Sequence, residues 1–467
     1  MAVRPDRRDL LDVSRIKRIT QRMQRSQGTD GVFPATEVPA DAATPKTGDS
    51  ATFVTTITDL DELDAKLGEV REAFEVSDDA MRAVFSSFEM TYPSDMPDDP
   101  YSDEYAERVF DYYRSISGRD SYEVTNEHMD FPVSPNRPFP FYTESPQTVG
   151  HQLMGVGYII TVMDLPSKSS ILELGAGWGN TTIALARMGY DVTAVDINEA
   201  FADCISARAE KLDLAVDAVT GAFLDVDKLG RTFDAVLFYE SFHHCSDHRG
   251  LIAKLAGILN SGGKIFFAAE PIFDGFPVPW GVRVDGESLW AIRQNGWLEL
   301  GFQESYFVRT LLRLGWISKM HLNTALHFGT VLEATRAHGS YVMGAFGLPP
   351  DEDRSWAAKD GPDISHRFCT AASLISIESG GPYDSITVHA SNFAPRNISY
   401  TVRHGQHGVS GTVVANSTLD IEVPYDRQAT CLEIGADTWR PSELLGGLDD
   451  RELGLAVTSI DLQSQTH

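Results

Sequence analysis

Glu240, His243 and His244 stand close together directly after an apolar run, Phe233 to Tyr239. An imidazole gains and loses a proton near neutral pH, which makes histidine the most frequent general base in enzymes. A neighbouring carboxylate can orient the ring or accept the proton itself. We therefore predict that His243 or His244, together with Glu240, removes a proton from a hydroxyl group. The alternative is that both rings only pack beside a bound ligand.

The same three side chains could also hold a metal ion. Their spacing, i, i+3 and i+4, would place them on one face of a helical turn, and a carboxylate with two imidazoles suits Zn²⁺ or another transition ion. Cys245, Asp247 and His248 add further donors but cannot all reach one ion from adjacent backbone positions. We expect no metal here, and a divalent ion is the alternative.

A glycine-rich turn, Gly175 to Gly179, lies between an apolar strand and a helical run. Glycines at alternate positions let the backbone turn sharply and approach a ligand closely. Asp196 ends the next strand, where an acidic residue can hold ribose hydroxyls. The spacing is Gly-x-Gly-x-Gly rather than the dinucleotide Gly-x-Gly-x-x-Gly, and Glu173 would repel a pyrophosphate. The turn therefore indicates an adenosine cofactor that carries cationic groups.

The order of these motifs resembles that of class I S-adenosylmethionine (SAM)-dependent methyltransferases of the type 11/12-like group. Glu173 and the three glycines match the first family motif, and Asp196 matches the end of the second strand. The segment from Phe233 to His244 matches the fourth strand and its loop, and Leu259 to Ala269 matches the turn and fifth strand. The resemblance covers roughly residues 141–338 and implies a Rossmann-like sheet that binds SAM.

The resemblance also implies which residues contact the cofactor. Many relatives accept the adenine amino group with an acid after the third strand, but Ala222 stands near that position here. Backbone contact at Ala222 or Phe223 is expected, with Asp225 as the alternative. Tyr142 is expected in a lid before the first strand. The full expected set is Glu173, Gly175, Ala176, Gly177, Gly179, Asp196, Ile197, Ala222, Phe223, Tyr239 and Tyr142.

His244 corresponds to the histidine of a Glu-His pair in methyltransferases that resemble the ubiquinone-pathway O-methylating enzymes. His243 replaces the glutamate of that pair. Their chemistry therefore cannot be carried over directly to this chain.

These motifs need a scaffold that brings the ends of several strands together. Alternating strand and helix patterns predict a parallel sheet with helices on both faces, its strands near residues 170–174, 191–195, 216–219, 234–238 and 264–269. Two further strands are expected near 317–322 and 328–334, one of them antiparallel. Between Ile272 and Gly301 lies an aromatic insertion, which could contact substrate or be a buried structural element.

The whole chain is predicted to be an α/β protein, with a Rossmann-like class I methyltransferase sheet, an N-terminal helical cap and a C-terminal all-β sandwich. Short alternating strands with turn residues between them indicate the sandwich. The expected boundaries are a basic tail and linker at 1–55, a helical cap at 56–140, the methyltransferase domain at 141–338, a linker at 339–365 and the sandwich at 366–467.

Composition limits the partners and the location. The net charge of −28 argues against binding to nucleic acid, which needs clustered Lys and Arg. No apolar run approaches the roughly 20 residues that span a bilayer, and the four cysteines form no CxxC pair. A cytoplasmic protein with free thiols is expected. Basic residues between Arg4 and Arg25 could form an amphipathic helix on the inner membrane surface, and a loosely ordered tail is the alternative.

The substrate prediction rests on weaker signals. The segment Asp437 to Gly454 resembles C-terminal β domains found beside bacterial polysaccharide-assembly enzymes. We therefore expect O-methylation of a sugar hydroxyl on a bacterial surface polysaccharide or its precursor. The alternatives are a small secondary metabolite or quinone-like phenol as the acceptor, and a non-catalytic module that binds SAM or a glycan.

Overall fold

The computed structural model describes residues 54–128, 133–323, 329–336, 340–342, 356–357, 366–377, 381–446 and 448–464. The basic N-terminal segment, for which membrane contact is predicted, lies outside these ranges, so that contact and the cytoplasmic location stay predictions. Within the described ranges, no helix has the length and apolar character needed to cross a bilayer.

A small helical layer precedes the central sheet. It contains β1 (Thr55–Ile57), α1 (Leu60–Phe74), α2 (Asp78–Phe85), β2 (Phe88–Met90) and α3 (Asp103–Ser117), and β1 pairs with β2 in parallel. The sequence predicts one helical stretch from Thr56 to Phe88, but the structure divides it. Ser77 is extended and its hydroxyl accepts a hydrogen bond from the Ala80 amide, so a new helix begins there.

The helical layer packs on the insertion through buried aromatic residues. Tyr105 of α3 is fully enclosed, and its hydroxyl donates to the carbonyl of Trp280 over 2.9 Å. Burial of each such large side chain stabilises the fold by about 1.5–3 kcal/mol. The cap therefore forms a fixed wall beside the insertion.

The central sheet carries the strands that the sequence predicts. Its elements are α4 (Pro146–Met163), β3 (Ser170–Leu174), α5 (Asn180–Arg187), β4 (Asp191–Asp196), α6 (Glu199–Lys211), β5 (Val216–Thr220), β6 (Phe233–Tyr239), α7 (His248–Ile258) and β7 (Leu259–Ala268). Strands β3 to β7 are parallel, and the residues buried on the inner strands are mostly apolar, as a covered parallel sheet requires.

The insertion and the far edge of the sheet follow. They comprise β8 (Trp280–Val282), α8 (Gly286–Asn295), β9 (Leu300–Phe302), α9 (Glu304–Arg313), β10 (Trp316–His321) and β11 (Val331–Arg336). The strand order is β10-β11-β7-β6-β3-β4-β5, with β11 antiparallel to both neighbours. The predicted α/β sheet and its antiparallel strand are both confirmed.

Most aromatic side chains of the insertion are structural. Phe276 and Trp280 are buried, Trp290 and Trp297 are partly buried, and Phe273 alone of these five is about half exposed, at 47%. Buried rings cannot offer their faces to a substrate. The sequence left two hypotheses for this segment, substrate contact and a buried structural element. The burial of its aromatic residues favours the structural element.

The C-terminal part is an antiparallel β sandwich, as predicted. Its elements are β12 (Ser340–Val342), β13 (Arg367–Phe368), β14 (Ser373–Ser376), β15 (Ser385–Asn392), β16 (Ile398–His404), β17 (His407–Val413), β18 (Ser417–Pro424), β19 (Cys431–Ala436), α10 (Pro441–Leu444) and β20 (Ala456–Gln463). One sheet has the order β12-β20-β15-β18, with β13 also on β20, and the other β14-β19-β16-β17.

One strand of this sandwich lies inside the segment 339–365 that the sequence predicts as a linker. Backbone pairing joins β12 to β20. The domain boundaries themselves stay predictions.

The outer face of the sandwich holds a histidine between two carboxylates, and this arrangement predicts a pH-dependent stability. His389 on β15 lies 2.7 Å from Asp420 and 2.9 Å from Asp461. Burial lowers the pKa of His389, but the two carboxylates outweigh it, so the net shift is upward. A raised pKa in the folded state stabilises the protein below the ordinary value of about 6.5, and this contribution is lost as the pH rises through the folded pKa.

We expect His389→Gln to lower the thermal midpoint more at pH 5.5 than at pH 9. Thermal denaturation of both full-length proteins across this pH range measures the effect. An equal difference in midpoint at every pH would contradict the ion-pair explanation.

Candidate active site

The glycine-rich turn joins β3 to α5 at the carboxyl edge of the sheet. Gly175, Gly177 and Gly179 all have positive φ, at 74°, 52° and 71°. A Cβ at Gly175 would overlap the side chain of Ser241, so packing requires glycine there. A Cβ at Gly177 would meet nothing within 4 Å. The backbone of Gly177 therefore borders open space where a ligand could approach closely.

Asp196 is fixed beside this open space. One carboxylate oxygen accepts the Gly177 amide over 2.9 Å, and the other accepts the Asn198 amide over 2.9 Å. Burial raises the pKa of Asp196, and the two backbone bonds partly offset that effect. Each oxygen keeps a second lone pair for a further donor. The arrangement suits the two hydroxyls of a ribose.

Glu173 lies inside the turn rather than on its open side. Its carboxylate accepts a hydrogen bond from the hydroxyl of Thr182 on α5, and its side chain is buried. Burial raises the pKa of Glu173 to about 7, and the nearby Asp196 carboxylate adds to the rise while the Thr182 hydroxyl opposes it. Glu173 thus joins β3 to α5, and a cation nearby would favour its ionised form.

The proline-rich segment before α4 covers the turn. The side-chain amide of Asn180 donates to the Phe139 carbonyl over 2.6 Å. The ring of Tyr142 lies 6.0 Å from that of Trp178. Tyr142 is therefore brought to the glycine turn, as a lid residue would be.

The other predicted cofactor residues line the same edge. Ala176, Ile197, Ala222 and Phe223 follow three neighbouring strands, and Phe223 approaches Gly175. Asp225, the alternative adenine acceptor, forms a 2.8 Å ion pair with Lys228 on the surface.

Tyr239 ends β6, and its hydroxyl donates to Gln152 of α4 over 3.2 Å. This bond ties the last residue of β6 to the helix that leads into β3.

A buried carboxylate that the sequence did not single out organises the loop after β6. Glu270, two residues after β7, accepts the backbone amides of Ser241 and Phe242 at 2.8 Å each and that of His243 at 3.2 Å. The ring Nδ1 of His243 lies 2.7 Å from the same carboxylate. Burial alone would raise the pKa of Glu270, but the His243 ring and the amides lower it. The sequence signal that could have pointed to Glu270 is an acidic residue shortly after the buried strand β7.

His243 is held between two carboxylates. Its second ring nitrogen, Nε2, lies 3.5 Å from a carboxylate oxygen of Glu299 in the insertion. Burial lowers the pKa of His243. The negative charges of Glu270 and Glu299 raise the pKa by more than burial lowers it, so the net shift is upward. His243 is buried and engaged on both ring nitrogens.

His244 has a different environment. Its Nδ1 lies 2.7 Å from the carbonyl of Leu298, which can only accept, so Nδ1 carries the proton. Burial and the neighbouring His243 lower the pKa of His244 to about 4, so the ring is neutral and Nε2 keeps its lone pair. Glu127 accepts the Leu298 amide over 2.8 Å and so holds the same segment before β9.

Glu240 lies where the sequence did not place it. It adopts a φ of +51° before the 3₁₀ turn Phe242–His244, so it does not share a helical face with the two histidines. Its side chain is exposed to solvent, although many protein atoms lie around it. This surrounding raises the pKa of Glu240 to about 7; His243 opposes the rise, while Glu287 and Glu270 add to it.

Charged side chains of α2 and the insertion lie near Glu240 and the two histidines, and the region that they border is called the cleft below. Arg82 of α2 lies 3.0 Å from Asp78 and 3.8 Å from Glu287, and Arg283 lies 3.5 Å from Glu299. Burial raises the pKa of Glu127, Glu287 and Glu299. The structure thus brings Glu240, His243 and His244 together with carboxylates from the cap and the insertion that the sequence did not associate with them.

Comparisons with known proteins show which family the chain resembles. A family model described as a methyltransferase domain matches residues 171–263. An uncharacterized methyltransferase of Bacillus cytotoxicus is 30% identical over 183 residues, which cover 37% of this chain and 81% of the relative. The ubiquinone biosynthesis O-methyltransferase of Coxiella burnetii is 31% identical over 111 residues, or 24% of this chain and 47% of that protein.

The glycine/sarcosine/dimethylglycine N-methyltransferase of Actinopolyspora halophila is 24% identical over 291 residues, or 56% of this chain and 48% of that protein. The chain thus spans about half the length of the first curated relatives that it matches. The match across most of the Bacillus relative, the family model and the strand order of the sheet agree on one conclusion. The chain belongs to the class I SAM-dependent methyltransferases.

Proposed function

We propose that this chain transfers the methyl group of SAM to a hydroxyl acceptor in the cleft between α2, the loop after β6 and the insertion. One observation carries the proposal. The open turn at Gly177 and the nearby Asp196 lie at the same carboxyl edge of the sheet as the proton acceptors after β6. Ligands of open α/β sheets bind at that edge. A cofactor on β3 and β4 would therefore face an acceptor held beside β6.

The residues fit the cofactor. The Asp196 oxygens would accept the ribose hydroxyls, and the open side of Gly177 would admit the cofactor backbone. The exposed carboxylate of Glu240 at the same edge suits a cation, and a cation nearby would also favour the ionised form of the buried Glu173. When bound, SAM supplies a methyl group on a positively charged sulfur that a nucleophile can attack in line.

Two groups can accept the proton of a hydroxyl. The Glu240 side chain is exposed to solvent. The Nε2 of His244 carries a lone pair, because the proton of the ring is on Nδ1, which donates to the Leu298 carbonyl. His243 is engaged on both sides. We assign the proton transfer to Glu240 or His244 and a positioning role to His243.

The proposed acceptor is a sugar hydroxyl of a bacterial surface polysaccharide or its precursor. Arg82, Arg283 and Glu287 give the cleft alternating hydrogen-bond donors and acceptors, which suit a polyhydroxylated ring. The buried rings of the insertion give less support to a quinone-like phenol or other planar metabolite. The resemblance near Asp437 supports the polysaccharide.

A second candidate is N-methylation of an amine. Carboxylates outnumber guanidinium groups in the cleft, which favours a cationic group, and one relative is named as a glycine/sarcosine/dimethylglycine N-methyltransferase. A non-catalytic module that binds SAM or a glycan is the alternative outside enzyme function.

Acceptor classes can be separated by turnover. We expect release of S-adenosylhomocysteine from SAM with methyl glycosides, and little with catechol or glycine. Turnover confined to catechol or to glycine would overturn the sugar proposal. Binding of S-adenosylhomocysteine without turnover on any of the three classes would favour the non-catalytic module.

Asp196→Ala should weaken binding of S-adenosylhomocysteine by about 10- to 100-fold, because hydrogen bonds to a charged group contribute about 1.5–3 kcal/mol. Isothermal titration calorimetry measures the affinity. Asp217→Ala, at an exposed site on the adjacent strand β5, is the matched control and should bind as the wild type does. Unchanged affinity in Asp196→Ala would remove Asp196 from the cofactor site.

Glu240→Gln should lower kcat by about 10²–10⁴-fold if its carboxylate takes the proton. The affinity for S-adenosylhomocysteine should stay nearly unchanged, because other residues hold the cofactor. Glu69→Gln on the exposed face of α1 is the control for an acid far from the cleft. Near-normal kcat in Glu240→Gln would transfer the role to His244.

A further inference from the structure

We propose that His243, His244 and Glu299 form a binding site for Zn²⁺ or a similar transition ion. This site would add a metal ion to the proposed function. Only the role of the ion, which would hold the acceptor hydroxyl, rests on that proposed function. From the sequence we expect no metal, and the alternative is an ion held by Glu240 together with the two histidines. The structure instead supplies Glu299 from the insertion.

The three donors converge. One ligand atom from each residue lies within 4.8 Å of the others. The Nε2 of His243 and the nearer oxygen of Glu299 are 3.5 Å apart. Two ligands that each lie about 2.1 Å from a tetrahedral ion are separated by about 3.4 Å. The pair therefore already has the spacing that a shared ion imposes.

Both imidazoles are oriented as metal ligands usually are. A ligating histidine donates its other ring N–H to a carboxylate or a backbone carbonyl, which fixes its tautomer. Nδ1 of His243 lies 2.7 Å from Glu270, and Nδ1 of His244 lies 2.7 Å from the Leu298 carbonyl. In the neutral rings this leaves both Nε2 lone pairs for one ion.

The third ligand is equally well fixed. Glu299 is buried between Leu298 and Leu300, which are both fully enclosed. Its carbonyl accepts the Arg283 amide over 2.8 Å, and its carboxylate lies 3.5 Å from the Arg283 guanidinium. A rigid backbone on both sides keeps the carboxylate directed at the histidines.

The surrounding charge favours a cation. Glu127 lies 3.4 Å from His244, Glu270 contacts His243, and Glu240 lies close enough to His243 to interact with it electrostatically. Arg283 is the guanidinium beside this group. A divalent ion would offset this excess of negative charge.

A site without an ion would use the same contacts differently. His243 would then be an imidazolium that bridges Glu270 and Glu299, and His244 a free base. The two arrangements differ in one respect that can be measured, which is stoichiometric binding of a metal.

With the ion bound, methyl transfer would use its open coordination position. Two histidines and one carboxylate leave an open position, where the acceptor hydroxyl would bind and become more acidic. Glu240 takes the hydroxyl proton, and the oxygen forms a bond to the methyl carbon. The bond between that carbon and the sulfonium breaks, its electron pair stays on sulfur, and neutral S-adenosylhomocysteine leaves.

The experiment uses the full chain, purified through a tag that binds no metal. Metal content is measured by inductively coupled plasma mass spectrometry, after which the protein is stripped with chelator and titrated with Co²⁺. We expect saturation at a single equivalent, with the visible spectrum of low-coordinate Co²⁺. His244→Asn and Glu299→Gln should each weaken Co²⁺ binding by about 100-fold or more, since loss of even an outer partner costs about 10- to 100-fold.

Glu69→Gln on the exposed face of α1 is the control, because it removes a carboxylate that belongs to neither proposed site, and it should bind Co²⁺ as the wild type does. Calorimetry with S-adenosylhomocysteine checks the fold of each variant and separates the two proposals. Loss of cofactor binding in the wild type would defeat the proposed function alone. Wild-type protein that binds Co²⁺ no better than Glu299→Gln would overturn the metal site alone.

Discussion

The buried carboxylate of Glu270 is the constraint on which the acceptor side of the site depends. An ionised carboxylate inside a protein is costly unless several donors surround it. Here three consecutive amides, from Ser241 to His243, and the His243 ring meet that need. The loop after β6 can satisfy the carboxylate in this way only when it folds into its 3₁₀ turn, which directs both imidazoles into the cleft.

The two halves of the site are built by different means. The cofactor side is made of backbone: a turn with positive φ and one acid, Asp196, whose position two amides determine. The acceptor side is made of side chains that arrive from distant segments, including Glu127 before the sheet and Glu299 in the insertion between β7 and β10. The cofactor side therefore depends on few side chains, whereas side chains on the acceptor side can change to suit another acceptor while the fold stays the same.

The helical cap and the insertion matter because they enclose the charged groups. Tyr105 binds the backbone of Trp280, and Arg82 reaches Glu287, so the two additions meet over the carboxyl edge of the sheet. Enclosure raises the pKa of Glu240 to about 7 and keeps His244 neutral, which places both groups in states useful for accepting a proton or binding a cation. The aromatic residues that seemed suited to substrate mostly support this enclosure.

The sequence by itself determined the sheet, its antiparallel strand, the glycine turn, Asp196 and the sandwich, because each depends on spacing within a short segment. It also brought Glu240, His243 and His244 together by adjacency. It did not reveal Glu270 or Glu299, nor that Glu240 leaves the helical face of the histidines. Those features depend on contacts between residues that lie far apart in the chain, such as the 2.7 Å contact of His243 with Glu270. Periodicity carries no information about such contacts, so only the tertiary structure decided them.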